Sequence, residues 1–264
     1  MPGLRIVTLN TGKGDGAYQR RLELLSEGLQ ALNPDIVLVQ EALKSEDGSL
    51  DTLGFLADRL DLHPSFAQAR FKPREVEGVQ YNTWSGIGIL SKNAPDEIIP
   101  IQLPMDPRDG DRVSLVAHFG ELAIGSSHLT HLRDAEAALI RRCQIETVLG
   151  SDALRNSSNV LIGGDFNVTL DGISHLLSGV EDWTAIDAFG SETENRATVP
   201  VTKPMVAGYC LDYIFALTKP GQSLPSFSDS RVVLGEPDAS GIYPSDHRGV
   251  MTTVTFTNDL EQTQ

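Results

Sequence analysis

Short apolar runs, each closed by a hard polar residue, alternate along this chain with stretches at helical spacing. "LRIVTLN" (4–10) reads as a strand ending in Asn10, and "DIVLVQE" (35–41) as a near-continuous apolar strand ending in Glu41. "LIGGDFN" (161–167) drives a strand through two glycines at Asp165 and Asn167, residue types that strand interiors rarely accept. In "GYCLDYIF", Asp212 stands among Leu211, Tyr213, Ile214 and Phe215, so it is expected to be buried and to need a partner. "AIGSSHLTH" delivers His128, and "YPSDHRGV" places Asp246 and His247 just before the last strand. Taken singly, each of these residues fits a turn or a solvated position. In chain order, they point polar groups from several strands toward one rim.

Between these runs, leucines at helical spacing predict helices over 18–33 and around Leu50–Leu60, and a third over 133–150. Further strands are expected at 85–91, at 112–119 and 121–129 as a hairpin, and near 159–165, 211–216 and 248–256. The stretches 71–84, 92–111, 190–208 and 218–245 are rich in Pro, Gly and charge and read as surface loops, which at such lengths are often functional. Mixed strands with helices between some of them predict an α/β sandwich, sheets packed together and helices outside. The expected organisation is one domain over 1–257 and a C-terminal tail over 258–264.

Composition narrows the function. The 264 residues hold 21 Lys and Arg against 36 Asp and Glu, a net charge of −15. Proteins that hold DNA through its backbone usually carry a basic face, so this balance argues against an avid, non-specific nuclease. Cys143 and Cys210 sit in apolar-patterned segments and read as small buried hydrophobes. The first apolar run is too short for a signal peptide or a membrane span, so a cytoplasmic protein without stable membrane insertion is expected.

The residue types at the rim define a chemistry. Carboxylates and amide oxygens select hard cations such as Mg²⁺ or Mn²⁺. A histidine beside a buried carboxylate is stabilised as a cation, and an Asp can orient or deprotonate an attacking water. Metal-assisted hydrolysis of a phosphate ester uses every member of this set.

The ordered motifs "TLN", "LVQE", "SGIGILS", "SSHLTH", "GGDFN", "LDYIF" and "SDH" make the chain resemble the endonuclease/exonuclease/phosphatase, DNase I-like superfamily over nearly its whole length. The resemblance implies a four-layer α/β sandwich with two mixed sheets packed face to face and the site at one sheet edge. It implies Asn10, Glu41 and Asp246 at the metal, with Glu41 the principal ligand. It implies Asp165 as the residue that activates water, Asn167 as holder of a phosphate oxygen, and His247 in contact with the phosphate and oriented by Asp212. His128 would contact the phosphoryl group or assist the leaving group, and Arg112 stands where some members place a phosphate-contacting arginine. The implied activity is a Mg²⁺- or Mn²⁺-dependent phosphoesterase acting on a phosphodiester by in-line attack of water. A nuclease acting on DNA or RNA is the alternative, and a catalytically inactive binding protein of the same fold is a third reading. A monomer is expected, its partner a phosphoester substrate: small molecule, lipid headgroup or nucleic acid. Arg70, Lys72 and Arg74 read as part of a solvated loop, with contact to the non-reacting part of a phosphorylated substrate as the competing reading.

Overall fold

A computed structural model describes residues 3–178, 183–199 and 208–256. Two six-stranded mixed sheets form the body. In the first sheet the strands are β1 (Leu4–Asn10), β2 (Ile36–Ser45), β3 (His63–Val76), β4 (Val79–Ser91), β11 (Ser226–Val233) and β12 (Gly249–Thr255), in spatial order β11-β12-β1-β2-β4-β3. The second holds β5 (Glu97–Gln102), β6 (Val113–Phe119), β7 (Leu122–His128), β8 (Asn159–Asp165), β9 (Thr184–Asp187) and β10 (Asp212–Thr218), in order β5-β6-β7-β8-β10-β9. Helices α1 (Tyr18–Leu32) and α2 (Thr52–Leu60) cover the first sheet, and α3 (Ala135–Leu149), α4 (Asp152–Arg155) and α5 (Leu170–Leu177) the second.

The central strands are apolar at nearly every position because both of their faces are covered. Along β1, Ile6 joins the core between the sheets while Val7 and Leu9 pack under α1 and α2. Along β8, Leu161 faces the other sheet and Val160 and Ile162 face α3 and α5. The result is the four-layer α/β sandwich expected from the sequence, helices outside and sheets face to face. Among the described residues, no helix is long and apolar enough to cross a membrane.

Several expected loops are strands. Residues 71–84 belong to a long β3–β4 hairpin whose two-residue turn, Glu77 and Gly78, has both φ angles positive, at 49° and 82°. That geometry matches the twist of the flanking strands. The segment 92–111 contains β5, and 218–245 contains β11; both are edge strands with exposed residues, so their patterns look like loops. Short β9 and helices α4 and α5 were not foreseen. Cys210 is buried as expected, but Cys143 is exposed, because it lies on the outer face of α3. The tail at 258–264 lies outside the described residues, as does part of the 190–208 segment.

Candidate active site

Each sheet places a parallel pair at its centre, β1 with β2 and β7 with β8. The ends of these four strands deliver most of the rim residues. Asn10 closes β1 and His128 closes β7, where it pairs in register with Asp165 at the end of β8. Glu41 lies within β2, in the bulge between Val39 and Ala42, at a φ of 57°. Asn167 lies just past β8 at a φ of 53°. Non-glycine residues in this left-handed region are uncommon, and bulges often re-aim a side chain beside a site. Strand alternation alone turns Phe166 into the core against Tyr213 and Phe215. The left-handed turn then brings Asn167 back to the side of Asp165.

The backbone must come close for this to work. Gly164 has a φ of +148°, and a Cβ there would collide with the Ser127 carbonyl of β7. Below the rim, Gln40 Nε2 donates to Thr8 Oγ1 at 3.1 Å and to Ser126 Oγ at 3.2 Å, tying the two sheets together through fully buried polar groups.

Asn10, Glu41, Arg112, His128, Asp165, Asn167, Asp246 and His247 line one cleft of about 250 Å³. Asp212 lies beneath it, fully buried and opposite Asp165 in the β8–β10 ladder. Asp165 is the hub. Asn10 Nδ2 donates to its Oδ2 at 3.1 Å, and the Asn167 N–H donates to its Oδ1 at 2.9 Å. His128 Nε2 lies 3.5 Å and His247 Nε2 3.8 Å from Asp165 Oδ2. His247 Nδ1 is 2.9 Å from Asp212 Oδ2, while Asp212 Oδ1 has no partner among the described residues. Asn167 Nδ2 donates to the Leu129 carbonyl at 3.1 Å, which fixes the amide and leaves its second N–H.

The electrostatics separate the two histidines. Burial alone would lower the basicity of His247, but the charge and hydrogen bond of Asp212, with Asp165 and Asp246, raise its pKa to about 10. His128, buried and facing Arg112 and Lys13, is held well below the usual histidine range and is neutral. Burial, then the charge of Asp212, pushes Asp165 up to about 7 against the opposing pull of His247.

Two oxygen-rich sets could hold a cation. Ligand atoms of Asp165, Asp212 and His247 all lie within 4.8 Å of one another. Here His247 already engages Asp212 through Nδ1 and carries its proton, so it offers a cation no lone pair on that nitrogen. The other set, Asn10, Glu41 and Asp246, presents hard oxygens. Lys13 Nζ sits 2.6 Å from Glu41 Oε1, so a positive charge is already stabilised at that carboxylate. Asp246 is exposed, receives a 3.2 Å bond from Ser245 Oγ, and faces Gly12 in the loop after β1. The donor set of this second group fits a hard divalent cation.

Arg112 is bound to Asp109 through Nη2 and Nε, at 2.7 and 3.1 Å, so its guanidinium is positioned on the cleft wall by a buried carboxylate. The sequence did not single out Lys13, Asp109, Arg21 or Arg141. Arg21 of α1 donates to the carbonyls of Thr11, Gly12, Lys13 and Asp15, and Arg141 of α3 to those of Thr130 and Leu132. Each clamps the loop leaving a central strand. Their only sequence signal is a cation on the buried face of a helix, which needs carbonyl or acid partners to be tolerated.

The sequence profile of the Endonuclease/Exonuclease/phosphatase family matches residues 7–247. No curated protein sequence matches the chain. Among solved structures, an endonuclease/exonuclease/phosphatase from Beutenbergia cavernae DSM 12333 superposes with a TM-score of 0.74 at 17% identity, covering 98% of this chain and 72% of that one. A humanized D. rerio TDP2 carrying 14 mutations gives 0.69 at 21% identity, over 96% and 99%. D. rerio TDP2 complexed with single strand DNA product gives 0.70 at 20% identity, over 96% and 99%. These likenesses are ones of fold.

Proposed function

Because the chain belongs to the Endonuclease/Exonuclease/phosphatase family and is a hydrolase of phosphate ester bonds, we propose that it is a Mg²⁺- or Mn²⁺-dependent phosphodiesterase. The observation that carries this reading is Asp165. It is buried, oriented through both oxygens by Asn10 and the Asn167 N–H, and flanked by one neutral and one protonated histidine. A carboxylate so held can receive a proton from an attacking water.

The remaining residues take roles from the same geometry. His247, kept cationic by Asp212, donates to a phosphate oxygen, and the second N–H of Asn167 donates to another. His128 and Arg112, which line the same cleft, contact the phosphoryl group as well. Glu41 and Asp246, with the Asn10 amide oxygen, hold the divalent cation, with Glu41 the principal ligand. When bound, that cation supplies Lewis-acid stabilisation of charge developing on the phosphoryl oxygens. Residues 10 and 247 meet in one cleft, which supports reading 1–257 as one domain.

A nuclease is the second reading, favoured by the cations Arg70, Lys72 and Arg74 on the cleft wall. The D. rerio TDP2 structure with a single strand DNA product supplies a precedent for this fold.

Hydrolysis of bis-p-nitrophenyl phosphate tests the main reading. Turnover is expected with Mg²⁺ or Mn²⁺ and lost in EDTA. Asp165→Asn is expected to lower kcat by about 10²–10⁴-fold, the usual contribution of a positioned general base. Glu41→Ala is expected to shift the metal requirement to much higher concentration. Lack of metal-dependent turnover on this substrate, plasmid DNA, single-stranded RNA, sphingomyelin and phosphoinositides would overturn the assignment.

A further inference from the structure

One wall of the cleft has no part in the chemistry above. Along β3, Arg70, Lys72 and Arg74 all line the cleft, because residues two apart on a strand share a face. Their cross-strand neighbours on β4 are Ser85, Thr83 and Tyr81, none of them charged. Arg70 Nη1 donates to the Asp109 carbonyl at 3.0 Å, a contact that positions the guanidinium without neutralising it. Arg74 Nη1 donates to Thr83 Oγ1 at 2.6 Å, but its Nε and Nη2 are shut off from solvent and have no partner among the described residues. Lys72 Nζ makes no hydrogen bond or ion pair among the described residues. Partial desolvation, then the charges of Arg74, Arg70 and Lys13, holds the Lys72 amine below its usual range.

This arrangement is unusual in a chain with a net charge of −15. Asp15, Glu41, Asp109 and Asp111 line the same cleft, yet among the described residues no carboxylate is paired with these three cations. Buried donors are nearly always satisfied, so the two unpartnered nitrogens of Arg74, a residue of the cleft wall, leave its guanidinium able to take a further acceptor when the side chain turns toward the cleft. A planar guanidinium fork with a neighbouring ammonium matches the oxygens of a phosphate group.

We propose that the β3 wall binds a second phosphate group of the substrate, one that is not hydrolysed, with Arg74 and Lys72 as the residues that select for it. The inference rests on the phosphodiesterase reading, which places the scissile group at Asp165 and His247. It makes the preferred substrate one with two phosphates on a single scaffold.

Titration calorimetry in EDTA, where nothing turns over, tests this directly. The probes are thymidine 3′,5′-bisphosphate against thymidine 5′-monophosphate, and inositol 1,4-bisphosphate against inositol 1-phosphate. In at least one pair the bisphosphate is expected to bind about tenfold tighter or more, the gain from added charge-assisted hydrogen bonds. The pair that shows it identifies the scaffold. Lys72→Gln, at an exposed position that tolerates change, is expected to bring the ratio close to one, and Arg74→Lys to reduce it. A ratio near one in both pairs for the unaltered protein refutes the proposal, as does a ratio that survives Lys72→Gln. Bis-p-nitrophenyl phosphate has a single phosphate, so failure to hydrolyse it counts against the phosphodiesterase reading and leaves the binding ratios to judge the wall.

Discussion

Asp212 is fully buried, and only one of its carboxylate oxygens has a partner among the described residues. Its effect is felt through His247, whose pKa it helps raise from 6.5 to about 10. A folded-state pKa above the unfolded value stabilises the fold while the proton is bound. That stabilisation is complete below about pH 6.5 and is lost as pH rises through about 10. In metal-free protein, NMR titration of the His247 ring is expected to give an apparent pKa near 10, and Asp212→Asn is expected to bring it down toward the ordinary histidine range. Urea unfolding at pH 6 and pH 9 is expected to show a pH-dependent loss of stability that shrinks in Asp212→Asn. An unmoved His247 titration in that variant would show that Asp212 does not set its protonation. At this scale the sequence was informative wherever a polar residue interrupted an apolar run, as with Asp165 and Asp212. It was silent on Lys13 and Arg21, whose partners are a carboxylate 28 residues away and a set of loop carbonyls. Nothing local to those residues announces such partners.

Strand ends position the site, and one glycine determines how closely two of them approach. At Gly164 the backbone of β8 runs so near β7 that any side chain meets the Ser127 carbonyl, in a conformation L-residues rarely adopt. Gly164→Ala is therefore expected to destabilise the protein by about 1–3 kcal/mol, the usual range for such strain, as read from urea melts. Activity is expected to fall as well, since the His128–Asp165 pair lies at the end of the same ladder. Full stability in the variant would mean that the strands can separate at no cost. The central strands were legible because burial on both faces makes them apolar throughout. The β3–β4 hairpin was not, because its outer half is charged and its turn is Glu-Gly rather than a more telling Asn-Gly or Asp-Gly pair. Edge strands β5 and β11 were missed for a related reason: pairing with a neighbour, not their own pattern, makes them strands.

The whole molecule is built from two halves of like design. In each sheet the third and fourth strands are the parallel pair, joined through a helix that sends back an arginine to clamp the loop before it. The site lies where the halves face each other, so neither half holds a complete set of its residues. The larger exposed apolar side chains, such as Phe71, Ile98, Met105, Leu139 and Leu224, are scattered over different elements, and a net charge of −15 repels like copies. We therefore expect a monomer of 28.6 kDa by light scattering at micromolar concentration; a doubled mass would disprove it. The distance between Asn10 and His247 along the chain has a consequence for synthesis. Asp246 and His247 follow the other proposed site residues in the chain, so a growing polypeptide completes the proposed set only once these two have been added.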